Sequence, residues 1–284
     1  VGAVLGEADR AAEVTAALRS RLEAVRVATA VLRRPRVLLL EWVDPPFGAE
    51  TSVGGLIAAN LSGPLRASLG TVRDAILGIT TVAGDGRVVR GGGRVVKNVA
   101  GYDLPRLHVG ALGTLGVIVE ATLKVRPKPE REAALRFDCA DAGDAVARAL
   151  ALRDRAWPAW LEIVAPEVLG AGRAIALVAG FLGTDTEVDA ALRQSAEVLG
   201  AATEAALDAA RAQDLRQQIA DAARGAAVLR AAVLPTDLPA LLAQIPARSD
   251  LPWHAHATAG TARIGVRDPG AGAELPLIGL EPQA

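Results

Sequence analysis

Three glycine-bearing stretches hold the residues best placed to meet a ligand: TSVGGLIAANLSGP (51–64), LGTVRDAILG (69–78) and GGRVVKNVAGYDLPRLHVGALGTLGVI (92–118). Glycine lets a backbone approach a ligand closely and adopt positive φ. Gly54 and Gly55 stand where a short helix should begin, with Thr51 or Ser52 as its cap. A helix start offers unpaired N–H groups and a positive dipole end, which suits a flat anionic or polar ligand. Asn60, Ser62 and Gly63 add short polar groups at the far end of that helix, and Gly113, Thr114 and Gly116 could bring a second backbone edge to the same ligand. Glycine pairs serve equally well in tight turns. None of the clusters is a GxGxxG between a strand and a helix, and none is a GxxxxGK[ST] loop, so neither a dinucleotide-binding βαβ unit nor a P-loop is supported. On residues alone, the reading is a site for something flat and polar, or a set of turns.

A second constellation is His254 and His256 in WHAHA. Two imidazoles two residues apart on a strand share a face and could share a metal or a substrate. A structural or exposed pair is the competing reading. His108 is expected to pack. Tyr102, the only tyrosine, either hydrogen-bonds a ligand or is a half-buried aromatic. Lys97 and Arg73 could pair with phosphate, with surface charge as the default. Trp157, Trp160 and Trp253 are expected in the core. Cys139 is the only cysteine, so no intrachain disulfide or cysteine metal cluster can form, and it reads as an inert buried thiol.

The elements that must position these residues follow from periodicity. Residues 8–33 read as an amphipathic helix, stopped by Pro35, with a strand at 36–43 and an Asp-Pro-Pro turn at 44–46. Between 51 and 126 the spacing predicts a helix to Asn60, a strand at 76–82, a Gly84-Asp85-Gly86 hairpin returning at 87–90, and a segment at 94–99 that extends the sheet or leads out of it. A helix capped by Asp103 and a strand at 116–126 complete that stretch, and Pro127 and Pro129 mark a boundary. Beyond it the pattern predicts strands at 133–138, 161–165, 174–181 and 227–234, helices at 145–155, 185–199, 203–223 and 236–244, and a closing hairpin at 253–257 and 262–266. The expected fold is α+β, with helices on one face of a mostly antiparallel sheet. No internal repeat is visible, and the Pro- and Gly-rich tail from Asp268 is expected to be poorly ordered.

The chain of 284 residues suggests two domains, and half of it is apolar, enough for a sizeable core. Lys and Arg number 31 against 32 Asp and Glu, which leaves no basic footprint for nucleic acid. No apolar run reaches the roughly 18 residues of a membrane span, and no secretory signal is legible at the start. The expected location is cytoplasmic. The chain begins with Val1 and contains no Met, which reads as a non-standard start or a piece of a longer frame.

VGGLIAANLSGPLR, GTVRDAILGITTV, VVKNVAGYDL (95–104) and GTLGVIVEATLKVRPKP (113–129) together resemble the FAD-binding subunits of glycolate oxidase, within the vanillyl-alcohol oxidase and p-cresol methylhydroxylase (PCMH-type) flavoprotein superfamily. The resemblance is strong over 44–130 and continues weakly to about 266. It implies a PCMH-type FAD-binding domain at 46–130, whose second subdomain is present, and a ferredoxin-like α+β cap domain at 131–267. An atypical segment at 1–45 would precede them, and a tail at 268–284 would follow. It also implies that FAD lies along Gly54, Gly55, Ala59, Asn60 and Gly63, with Asp74 nearby. Gly101, Tyr102, Gly113, Thr114, Gly116 and Ile118 would then line the isoalloxazine and ribityl side. It implies a subunit oxidising glycolate or a related small 2-hydroxy acid beside a catalytic flavoprotein subunit and an iron–sulfur subunit. That complex would be cytoplasmic or peripheral to the inner membrane. No residue commits as a general base.

The chain departs from the family at its start. The glycine-rich loop that holds the pyrophosphate is missing, since the only glycines before Gly48 are Gly2 and Gly6. Residues 21–47 instead resemble solute-binding proteins of cobalamin or iron-chelate transporters, which implies a truncated or hybrid subunit joined near 41–48. Without that cradle two phosphate charges lose their N–H partners. The alternative expectation is therefore a structural or interaction subunit that no longer binds FAD.

Overall fold

A computed structural model describes residues 16, 20, 52–96, 101–169, 174–202, 206–222, 227–245 and 252–266. Apart from Ala16 and Ser20, both helical, the expected elements before residue 51 lie outside the described residues, as does the tail. The chain divides into two units. One takes in Val53–Ala59 and Ala75–Lys124; the other takes in Asn60–Asp74 and the chain from Val125 onward.

The first unit is built on a three-stranded antiparallel sheet of β1 (Ile76–Val82), β2 (Val88–Gly92) and β3 (Val117–Leu123), in the order β2-β1-β3. Ile76 and Ile79 of β1 are buried, and Thr80 and Thr81 add β-branched side chains that suit a pleated surface. The hairpin between β1 and β2 turns at Gly84-Asp85-Gly86, closed by Gly86 N–H to Ala83 O at 2.9 Å. Asp85 accepts from Arg87 N–H at 3.0 Å. Helix α1 (Val53–Ala59) packs on β3, while α4 (Leu104–His108) packs on β1 and β2. Asp103 caps α4 by accepting from Arg106 N–H at 3.1 Å. Arg94–Val96 form a bend that leads out of the sheet.

The second unit carries two helical turns that the periodicity does not predict, α2 (Arg66–Leu69) and α3 (Val72–Ala75, whose last residue belongs to the first unit). Its sheet has β4 (Arg131–Cys139), β5 (Trp160–Val164), β6 (Ile175–Gly183), β7 (Ala227–Ala232), β8 (Trp253–His256) and β9 (Thr261–Val266). The order is β4-β6-β5-β8-β9-β7, antiparallel at every pairing. Its helices are α5 (Ala142–Ala156), α6 (Asp185–Leu199), α7 (Ala209–Ala222) and α8 (Leu238–Ala243). A capping box opens α6: Glu187 N–H donates to the Thr184 hydroxyl, and the Glu187 carboxylate accepts from Thr184 N–H at 2.7 Å. Helix α5 ends at Trp157, which takes φ 52° and is 82% exposed, so this tryptophan is not part of the core. Trp160 and Trp253 are buried, as is Cys139.

The topology holds a repeat that the sequence hides. Strands β4, β5 and β6 with α5 form a βαββ unit in the order β4-β6-β5, and β7, β8 and β9 with α8 form another in the order β8-β9-β7. The two halves meet where β5 pairs with β8, centred on Ile163 opposite Ala255. Phe137, Trp160, Leu161, Ile163, Leu177, Ile219 and Leu238 are buried in one continuous core. Each such side chain contributes about 1.5–3 kcal/mol on burial.

Candidate functional site

Within the first unit, two of the three glycine segments come together. Gly54 lies against β3, where a Cβ added to it would sit 3.5 Å from Ile118 O, so glycine permits close helix–strand packing. At its other end α1 must satisfy its last carbonyls. Gly110 N–H donates to Ile57 O at 3.0 Å, and Leu112 N–H donates to Ala58 O at 2.8 Å. The turn that follows is held by Thr114, whose hydroxyl donates to Ala111 O at 2.6 Å. Gly116 then enters β3 at φ 145°, and a Cβ there would meet Val82 O at 2.6 Å. Gly54, Gly55 and Ala59 are thereby tied to Gly113, Thr114, Gly116 and Ile118 through one helix and one turn.

The other expected residues are placed differently. Gly101 and Tyr102 precede α4; Tyr102 is 94% exposed, not half-buried, and its carbonyl accepts from Leu104 N–H at 2.9 Å. Cβ atoms added at Gly101 and Gly113 would meet nothing within 4 Å, so both backbone edges face open space. Asn60 closes α1 at φ 50°, and its Oδ1 is buried with no hydrogen-bond partner among the described residues. Gly63, buried, accepts from Arg66 N–H at 3.2 Å. The Asp74 carboxylate accepts from Thr71 N–H and from the Thr71 hydroxyl, each at 2.8 Å. His108 is buried, as expected of a packing residue. Lys97 lies outside the described residues.

The histidine pair sits in the second unit, in company the sequence reading missed. Glu162 on β5 is 1% exposed and faces both rings: His254 Nδ1 lies 2.9 Å from Glu162 Oε2, and His256 Nδ1 lies 3.5 Å from Oε1. The carboxylate accepts, so Nδ1 of His254 donates and its Nε2 is left over. Nε2 of His254 and both ring nitrogens of His256 are buried without a hydrogen-bond partner among the described residues. Burial pushes the Glu162 carboxyl up, but His256, His254 and Arg263 together outweigh it and hold the group below its ordinary value. Burial drives His256 below the ordinary imidazole range, with Arg66 and His254 adding to the effect against Glu162. Among the described residues, no group of three or more His, Cys, Asp and Glu could hold a metal ion. One signal could have found Glu162: a lone charge inside WLEIV, a fully buried strand, requires a partner.

Comparison with known proteins bears on the first unit. Residues 36–92 match the FAD binding domain family. Glycolate oxidase subunit GlcE of Escherichia coli is 49% identical over 98 residues, 34% of this chain and 28% of that protein. Glycolate oxidase subunit GlcD of Bacillus subtilis is 42% identical over 92 residues, 32% of this chain and 20% of that protein. D-lactate dehydrogenase of Archaeoglobus fulgidus is 45% identical over 86 residues, 30% of this chain and 19% of that protein. The matched stretch spans less than a third of each of these relatives. In fold, the chain is similar to alkyldihydroxyacetonephosphate synthase, with a TM-score of 0.57 at 18% identity over 78% of this chain and 52% of that one. The chain carries a PCMH-type FAD-binding domain, related to those of glycolate oxidase subunits and D-lactate dehydrogenases, and FAD is its cofactor.

Proposed function

We propose that this chain is the FAD-binding subunit of a glycolate oxidase-like complex that oxidises a small 2-hydroxy acid. The observation that carries the reading is the tie between α1 and the 110–116 turn, through Gly110 N–H to Ile57 O and Leu112 N–H to Ala58 O. That tie sets the backbone of Gly54 and Gly55 and the backbone of Gly113 to Gly116 on one rigid piece. The open space over Gly101 and Gly113 suits a flat polar cofactor. When bound, the flavin supplies hydride acceptance. The chain's own residues orient the ring system and offer backbone amides to its polar edge. By the resemblance, Gly54, Gly55, Ala59, Asn60, Gly63, Asp74, Gly101, Tyr102, Gly113, Thr114, Gly116 and Ile118 are the residues proposed to meet FAD.

The likeness to subunits named GlcE and GlcD supports work in a complex, with a catalytic flavoprotein subunit and an iron–sulfur subunit as partners. No helix among the described residues is long and apolar enough to cross a membrane. The test is to titrate FAD into the purified full chain and follow flavin absorbance, then to co-express it with the two partner subunits and assay glycolate oxidation. A bound-flavin spectrum, and activity that depends on this chain, are expected. A chain that stays colourless at saturating FAD overturns the proposal.

A further inference from the structure

The two copies of the βαββ plan end in different edges. Strand β4 closes one side of the six-stranded sheet and β7 closes the other. Free N–H and C=O groups along an edge strand are a template for another strand, and folded chains ordinarily cover such an edge or charge it. Both devices are present on β4. Ala134 N–H donates to Leu207 O at 3.3 Å, and Leu207 N–H donates to Ala134 O at 2.9 Å, so an added piece of backbone covers the edge. Arg131, Glu132, Arg136 and Asp138 charge it, each in an ion pair.

Neither device is present on β7. No strand pairs with its outer side among the described residues. Leu234, two residues past its end, is still extended. From Val228 to Leu234 the only charge is Arg230, and Val228, Leu229 and Leu234 are exposed. Val233 N–H donates inward, to Gly260 O at 2.8 Å. Alternation along the strand then turns the backbone groups of Val228, Arg230 and Ala232 outward, away from β9.

A strand that joins this edge must present its own outward groups at every second residue. A second β7, running antiparallel, does so about Ala231. Val228 of one copy then opposes Leu234 of the other, Leu229 opposes Val233, Arg230 opposes Ala232, and Ala231 opposes itself. Large apolar side chains meet large apolar side chains, which stabilises a pair of strands. Each arginine meets an alanine, over which its alkyl stem can lie. The neighbouring registers are worse. Centring on Arg230 sets two like charges face to face, and centring on Leu229 or on Ala232 sets Arg230 against Val228 or Leu234.

We propose that β7 is a self-pairing edge, at which two copies of this chain join antiparallel about Ala231 into one continuous sheet with two-fold symmetry. The inference stands on the second unit alone and does not depend on the flavin.

The test is sedimentation equilibrium of the full chain between about 1 and 100 μM, where a dimer is expected. Val228→Lys places a charge on the seam at a side chain that is exposed in the single chain. It should weaken association about tenfold or more and leave the thermal midpoint of the dilute chain unchanged. Ala231→Cys reads the register. Directly opposed residues of a non-hydrogen-bonded antiparallel pair stand about 4.5 Å apart at Cα, within reach of a disulfide. Oxidised glutathione should therefore link Ala231→Cys into a covalent dimer. Leu229→Cys, opposed to Val233, should not link, and neither should the unsubstituted chain, whose Cys139 is buried. A chain that stays monomeric at about 100 μM overturns the proposal, because a partner's strand or another segment of this chain then holds the edge. A dimer that Val228→Lys leaves intact overturns it too, as does equal cross-linking of Leu229→Cys and Ala231→Cys or no cross-linking of the latter. Flavin absorbance is read separately, so failure of the flavoprotein reading and failure of this one are distinguishable.

Discussion

Glu162 and His256 make stability depend on acid in one direction. The Glu162 carboxyl is held below its ordinary value, so its contribution is full above the unfolded carboxylate value and is lost as pH falls through the folded one. His256 is held below the ordinary imidazole range, so the unfolded chain takes up a proton first and stability falls once pH drops below about 6.5. Thermal unfolding followed from neutral to acidic pH should therefore show a steady loss. His256→Gln should remove the part of that loss nearest neutrality, and an unchanged profile would refute the assignment. Glu162→Gln weakens the buried hydrogen bond that the carboxylate accepts from His254 Nδ1 and should cost about 1–3 kcal/mol. Denaturant unfolding measures that directly.

At the scale of elements, helix ends and close crossings decide what the fold tolerates. Thr184→Ala deletes half of the capping box and should cost about 1 kcal/mol, read as a lower denaturation midpoint. Gly180 lies directly beneath the Trp160 indole, so Gly180→Ala should destabilise by about 1–3 kcal/mol through overpacking. The buried ion pair of Arg216 on α7 with Glu132 on β4, at 2.9 Å, fixes that helix to the edge of the sheet. The sequence makes much of this level legible. Alternation and caps predict Asp185–Leu199 and Ile76–Val82 at their observed bounds, and Asp103 as the cap of α4. It misses α2 and α3 because four-residue turns are too short to show a period. It places Trp157 in the core because an aromatic near a helix end carries no mark that its backbone will turn left-handed and swing it outward. The glycine site is legible as composition. The pairing of Gly110 and Leu112 amides with α1 is not, because backbone hydrogen bonds leave no residue-specific trace. Glu162 and the two histidines lie on strands far apart in the chain, and only the register of β5 against β8 brings them together.

On the scale of the whole molecule, buried apolar residues are unevenly shared. The continuous core belongs to the second unit, while Val88, Val96, Tyr102, Leu107 and Leu112 of the first unit are exposed. Fewer buried contacts mean a lower free energy of local opening. Amides of Ile76–Val82 should therefore exchange with solvent faster than those of Trp160–Val164, and FAD should slow the first set selectively, as a ligand that binds only the folded form does. Hydrogen exchange with and without FAD tests both statements. The βαββ duplication carries a further implication. Glu162 comes from one copy and His254 and His256 come from the other, although the backbone on either side of the seam follows the same plan. A substitution in one copy can therefore change the electrostatics of this buried contact while leaving the backbone path of both copies where it was.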